Sequence, residues 1–238
     1  MVNHTSMPLN FNLSIRTGAW ISLIGFILSA PVAVAIVMFI APQPAWTSVE
    51  IFKANYHHLQ ELPYYFGFIL IAGLMLLVYG HKKEDYQHNL YIQSQVQLAH
   101  ALIIIFGTLV IFNYICQTTF IPHLVHANVP LYDSLTAAFT MSNPDSLSWT
   151  IEMWAYLILA KALWLLRGCY KEKKTSLPAL LTANLMISAI SVVWTILDAT
   201  WVETTLGLIL YFIWNTLMIV ILILILQLCK TQPQLQSA

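Results

Sequence analysis

Charge is the scarcest property of this sequence. Only 8% of its 238 residues are Asp, Glu, Lys or Arg, against about 25% in soluble domains, where charge covers the wetted surface. Ten basic residues balance ten acidic ones, so there is no basic surplus to hold nucleic acid. Cysteine is scarce as well. Cys116, Cys169 and Cys229 are an odd number with no Cys-x-x-Cys pair, which argues against a disulfide framework and against a thiolate metal site.

What remains is apolar. Hydrophobic residues make up 59% of the chain and mean hydropathy is +0.73, the composition of a protein whose solvent is largely lipid. Six runs reach the roughly 20 residues a helix needs to cross the hydrocarbon. They lie at about 18–41, 63–80, 91–116, 147–167, 177–197 and 203–229. The expected fold is all-α, a single polytopic bundle of six transmembrane helices over residues 1–238, because each helix satisfies its own backbone in lipid. The runs are apolar on every face, unlike the alternating strands of a barrel. Ala33-Val34-Ala35 has a cleavage-like pattern, but the apolar run passes it to Ala41, so an uncleaved first span is expected.

Punctuation supports these boundaries. Pro63 and Pro178 stand near helix starts, where a missing N–H costs little. Asn143-Pro144-Asp145 reads as a cap, a first-turn proline and a carboxylate set against the helix dipole. Gly80 and Gly168 stand where a left-handed C-terminal residue is wanted. Pro31 predicts a distortion inside span one.

Basic residues predict orientation. Arg16, Lys82, Lys83, Arg167, Lys171, Lys173, Lys174 and Lys230 fall on one side, Lys53 alone on the other, and Lys161 within a span. The positive-inside rule then makes both termini cytoplasmic, as an even number of spans allows. The glycosylation patterns at Asn3 and Asn12 fall on that cytoplasmic side, where they would go unused. The opposite face gathers Glu50, Glu61, Asp133, Asp145, Glu152, Asp198 and Glu203. Exclusion of lysine by insertion is enough to account for that acidity.

In the first outer loop, Trp46, Val49, Phe52, Tyr56 and Leu59 recur at helical steps, predicting an amphipathic interfacial helix. Its polar face would carry Glu50, His57 and Glu61, with His58 beside them. The second outer loop carries His123 and His126. His57, His58, Glu61, His123 and His126 are weak metal candidates, since their order is not that of a zinc motif and exposed histidines are common; no metal is expected.

Ionisable and amide groups inside the membrane each need a reason. They are Gln95, Gln97, His100 and Asn113 on span three, Glu152 and Lys161 on span four, Asn184 and Asp198 on span five, and Asn215 on span six. Glu152 lies about one turn below the outer boundary, where water can account for it. Lys161 can snorkel to the inner headgroups, or form an inner polar pocket with His100 and Gln97. Asn184 and Asn215 suit bonds between helices. No membrane-protease, nucleophile-elbow or phosphate-loop motif accompanies them. The last two spans hold no lysine for a retinal Schiff base, and His100 alone cannot supply a bis-histidine haem. No broken pair of spans in matching halves marks an inverted-repeat transporter. No cofactor is expected.

The stretch from Asn143 through Trp149, Glu152, Trp154 and Tyr156 to Leu165, with Leu59–Tyr64 and Trp214-Asn215, resembles a group of uncharacterised six-helix integral membrane proteins of bacteria. The resemblance covers about a third of the chain and implies the bacterial inner membrane but no activity. Lys161 departs from its pattern, leaving Glu152, Asn143 and Trp149 as the residues it favours.

Together these features point to an integral membrane protein that binds or moves a small or lipid-like ligand through an outward-facing polar cavity. The candidate ligand-binding residues are Glu152, Asp198, His57, Trp149, His100 and Lys161. The rivals are a lipid-modifying enzyme pairing Glu152 with an outer histidine, and a structural or regulatory subunit packed against another membrane protein. The expected partners are the bilayer, that ligand and, for the subunit, a membrane protein.

The orientation can be tested by labelling. With Cys116, Cys169 and Cys229 replaced by Ser, a Glu50→Cys variant should react with an impermeant maleimide in intact cells. Lys171→Cys should react only after permeabilisation. Reversal of the two would invert the topology.

Overall fold

The computed structural model describes residues 10–82, 89–127, 129–173 and 175–230. Asn3, Lys83 and Lys174 lie outside the described residues, as do the side chains of Asn12, Lys173 and Lys230. The described chain is all-helical with no strand, and six of its helices are long and apolar enough to cross a membrane. This is a multi-pass integral membrane protein.

The spans are Leu13–Ile40, His58–Lys82, Leu90–His126, Leu147–Lys171, Leu177–Leu197 and Thr205–Cys229, called spans one to six. Short connections make sequence neighbours antiparallel. Span one begins and span six finishes at one end of the bundle; the longer connections, 41–57 and 127–146, cover the other. That second end is called the loop-rich end below.

Span one is not a uniform helix. Pro31 has no N–H to return to the preceding turn, and the helix widens into a π-turn at Leu28–Val32 before resuming at Ala33–Ile40. Span three is the largest departure from sequence expectation. It passes its predicted end through a second π-turn, Cys116–Phe120, and continues as Ile121–His126. His123 and His126 therefore lie on the last turns of a helix, not in a loop.

The closest helix pair is span one against span two. Gly18, Ser22 and Gly25 line one face of span one and meet Leu70, Gly73 and Leu77 of span two. A Cβ added at Gly18, Gly25 or Gly73 would come within 3.0 Å of the other helix's backbone, so only glycine permits the approach. Ser22, fully buried, donates to the Gly18 carbonyl at 2.7 Å, leaving its hydroxyl proton bonded within its own helix. Gly80, read above as a helix-ending residue, instead lies inside span two against Ile15. Gly168 lies in a 3₁₀ turn, Leu166–Lys173, that prolongs span four. Neither adopts a left-handed backbone.

The main core runs between the spans and includes Phe26, Leu74, Ile103, Phe106, Leu159, Leu163 and Ile221. A smaller second core covers the loop-rich end. Here the connection between spans one and two forms a six-residue helix, Val49–Ala54, and a 3₁₀ turn at His58–Glu61, with non-helical residues between them. Phe52 of the short helix packs with Ile121, Leu124, Trp46 and Tyr56. A further helix, Pro130–Phe139, closes this layer, tied by the Lys53–Asp133 ion pair at 2.5 Å.

Substituting Gly73 tests the close helix pair against intrinsic propensity. Alanine is better than glycine in a helix by about 1 kcal/mol, yet Gly73→Ala should lose roughly 1–3 kcal/mol through overpacking on backbone. Gly107→Ala, whose added Cβ would meet the flexible Met75 side chain, should be tolerated. Thermal unfolding in detergent distinguishes them, and equal stability of the two variants contradicts the packing assigned to Gly73.

Candidate functional site

Span four begins at Leu147, and the side chain of Ser146 accepts from the Trp149 N–H at 3.0 Å. Asn143, expected as the cap, is used otherwise. Its Oδ1 accepts from the Asp145 N–H at 3.1 Å, and its amide donates to the Ala137 carbonyl at 2.8 Å. Asn143 shapes the approach to the helix, and Ser146 starts it.

Glu152 follows within span four and is only 7% exposed, so bulk water does not account for it. A buried carboxyl needs donors in place of water, and span three provides them. The Asn113 amide donates to Glu152 Oε2 at 2.8 Å, and the Tyr114 hydroxyl donates to Oε1 at 2.9 Å. Tyr114 and Tyr156 share a hydroxyl contact at 3.1 Å. Two donors converge on two oxygens, an arrangement suited to the acceptor-only form of a carboxyl group.

The same edge of span three anchors the segment before span four. Asn113 also donates to the Ser148 carbonyl at 3.1 Å. Gln117, one turn on and within the π-turn, donates to the Phe139 carbonyl at 2.7 Å and accepts from the Met141 N–H at 3.0 Å. Tyr114 is held by Tyr64, with ring centroids 5.3 Å apart, and by Gly67, where a Cβ would strike its ring.

Glu152 lines a cavity of about 360 Å³ in the loop-rich half of the bundle, to which all six spans contribute. Its walls are mostly aromatic and aliphatic, including Phe26, Tyr64, Trp149, Tyr156, Trp201, Tyr211 and Trp214. Ser29 and Ala30 of the first π-turn lie on one side, with Ser188 and Ser191 of span five among the other lining residues. Three buried polar atoms of lining residues have no hydrogen-bond partner: Trp149 Nε1, Ser188 Oγ and Asn215 Oδ1.

Of the candidate ligand-binding residues, Glu152 and Trp149 line this cavity and Asp198, His57, His100 and Lys161 do not; Asn215, expected to bond between helices, lines it as well. Asp198 caps a 3₁₀ turn by accepting from the Thr200 N–H at 3.0 Å. His57 likewise accepts from the Leu59 N–H at 3.1 Å. The ring contacts of His100 and Lys161 lead to their own neighbourhoods: His100 packs near the Tyr79 ring, and Lys161 stands 4.0 Å above the Trp164 ring. Nor do the described contacts of Asn184 and Asn215 link helices. The Asn215 amide donates to the Tyr211 carbonyl of its own helix at 2.6 Å, and buried Asn184 has no hydrogen-bond partner.

The five metal candidates divide into a group around His58 and two outlying histidines, His57 and His123. His58 and His126 come together, rings 5.8 Å apart, beside Glu61, while His123 packs on Tyr132. Among the described residues no group of three His, Cys, Asp or Glu side chains could hold an ion. Glu61, 5% exposed, is instead bonded by Tyr56 at 2.6 Å, His58 at 2.8 Å and Tyr65 at 3.1 Å. Burial, with the Glu61 carboxylate beside it, raises the Tyr56 phenol well above its ordinary range, so Tyr56 remains a donor there. Comparison with protein-family models, with curated proteins and with solved structures finds no match.

Removing one donor tests the Glu152 network. Asn113→Leu leaves a Glu152 oxygen and the Ser148 carbonyl short of a donor, at a cost of about 1–3 kcal/mol each where burial is maintained. Combined with Glu152→Leu, it should show a coupling of roughly 1 kcal/mol or more in a double-mutant cycle. The readout is denaturant unfolding in detergent; simple additivity would sink the network.

Proposed function

We propose that this protein is a bacterial inner-membrane protein that binds or moves a small or lipid-like ligand in an outward-facing cavity built around Glu152. One observation carries the reading: a cavity of about 360 Å³ with a mostly apolar wall, a buried carboxyl group among its lining residues, and three further lining residues whose buried polar atoms have no partner. Ligand sites typically combine such a volume, roughly 300–1,000 Å³, with a few polar groups that fix orientation.

The outward direction rests on the positive-inside rule. The basic residues cluster at the end where span one begins, and the cavity lies toward the opposite, acidic end. Among the described lining residues none is a histidine, so the enzyme reading has less support than the binding one. The subunit reading calls for a solidly packed bundle, which the cavity disfavours.

The test is mass spectrometry of whatever co-purifies in mild detergent. Wild type should retain a bound species that is lost from two cavity-filling variants, Ala30→Leu and Ser188→Leu, and altered in Glu152→Gln. An identical profile in all four proteins would remove the cavity from consideration as the binding site.

A further inference from the structure

We infer that the cavity takes a protonated organic amine with an apolar body, an inference resting on the ligand-site reading above. Charge is the first observation. Among the described lining residues Glu152 is the one carboxyl, and none is Lys, Arg or His. Lys161, on the same span, is engaged with Trp164. An anionic ligand would meet Glu152 without a counter-charge, a costly arrangement away from water, whereas a cation would complete the pair.

Hydrogen-bond inventory is the second. Glu152 accepts from Asn113 and Tyr114, with the Tyr156 hydroxyl as a third neighbouring donor, and a carboxylate has about four acceptor sites, so capacity remains. Asn215 Oδ1, in a side chain 7% exposed, is buried without a donor, its amide already spent on Tyr211. Both residues call for N–H donors, which an ammonium carries. The unpartnered Trp149 N–H suits a hydroxyl or carbonyl oxygen on the same ligand.

The third is the wall itself. Tyr156 and Trp214, with ring centroids 5.1 Å apart in an edge arrangement, both line the cavity beside Glu152. Aromatic faces attract cations, most strongly when desolvated. A phosphate-bearing headgroup finds no such complement here.

Three probes of one shape separate charge from apolar fit: phenylpropylamine as cation, phenylpropanol as neutral analogue and phenylbutyrate as anion. Binding to the full-length protein in mild detergent is followed by tryptophan fluorescence and calorimetry. The amine should bind about tenfold or more tightly than the alcohol, and the acid most weakly. Glu152→Gln should bring the amine to the level of the alcohol and leave the alcohol nearly unchanged. If that variant does not fold, the wild-type order of the three probes decides alone. Equal binding of amine and alcohol, an amine preference that survives Glu152→Gln, or no binding of any probe each overturns the amine. The ligand-site reading falls separately, if Ala30→Leu and Ser188→Leu leave the co-purifying species untouched.

Discussion

A carboxyl group placed at bilayer depth has to be given donors, and much of the loop-rich half of this bundle follows from that requirement. Glu152 draws Asn113 and Tyr114 to it, which fixes how spans three and four are rotated against each other. Gln117, one turn beyond Asn113, holds the chain at Phe139 and Met141, so the segment entering span four is set by the same helix edge. Tyr64 and Gly67 position Tyr114 from span two. Three spans are thereby committed to one pair of oxygens.

The cavity is the counterpart of uneven packing. Spans one and two approach backbone to backbone through Gly18, Gly25 and Gly73, and bulky side chains are excluded there. On the side facing spans five and six the neighbours are large rings, Trp201, Tyr211 and Trp214. Rings of that size cannot fill an irregular space as closely as glycine faces meet, and a void remains between them. Both π-turns lie near this region: the first supplies Ser29 and Ala30 to the wall, and the second holds Gln117. A π-turn widens the helix and re-aims the residues after it, and such turns are frequent at functional sites.

Much of the fold was legible because hydropathy is a local property. Span five matches its predicted bounds of 177–197, and Pro63 and Pro178 stand in first turns as expected. Errors arose where two local explanations competed. Asn143 and Ser146 are both capping residues, and only the use of Asn143 by Ala137 assigns the cap to Ser146. Gly80, two residues before Lys82, looks like a helix end, whereas contact with Ile15, far away in sequence, explains it. For the site, Glu152 and Asn113 were each conspicuous as polar residues within apolar runs, but their pairing depends on helix rotation, which one sequence does not encode locally. Gln117 lay just past the predicted end of span three. The spacing of Asn113 and Gln117 by four residues, with Tyr114 between, was the available signal. His57 and Asp198 are ionisable groups near span ends, yet both serve the local need of a 3₁₀ turn for an acceptor.

The Lys53–Asp133 pair has an effect beyond joining two loops. It engages the one lysine of the loop-rich end with an acid, while Glu50, Asp145 and Glu203 stand there without a basic residue of their own among the described ion pairs. The end of the molecule nearest the cavity therefore carries a standing negative potential. Such a field raises the local concentration of cations and speeds their arrival, and it weakens as ionic strength rises. Arrival of a positively charged solute at this end is thus governed by the surface before any cavity contact is made, and encounter rates there will follow salt concentration.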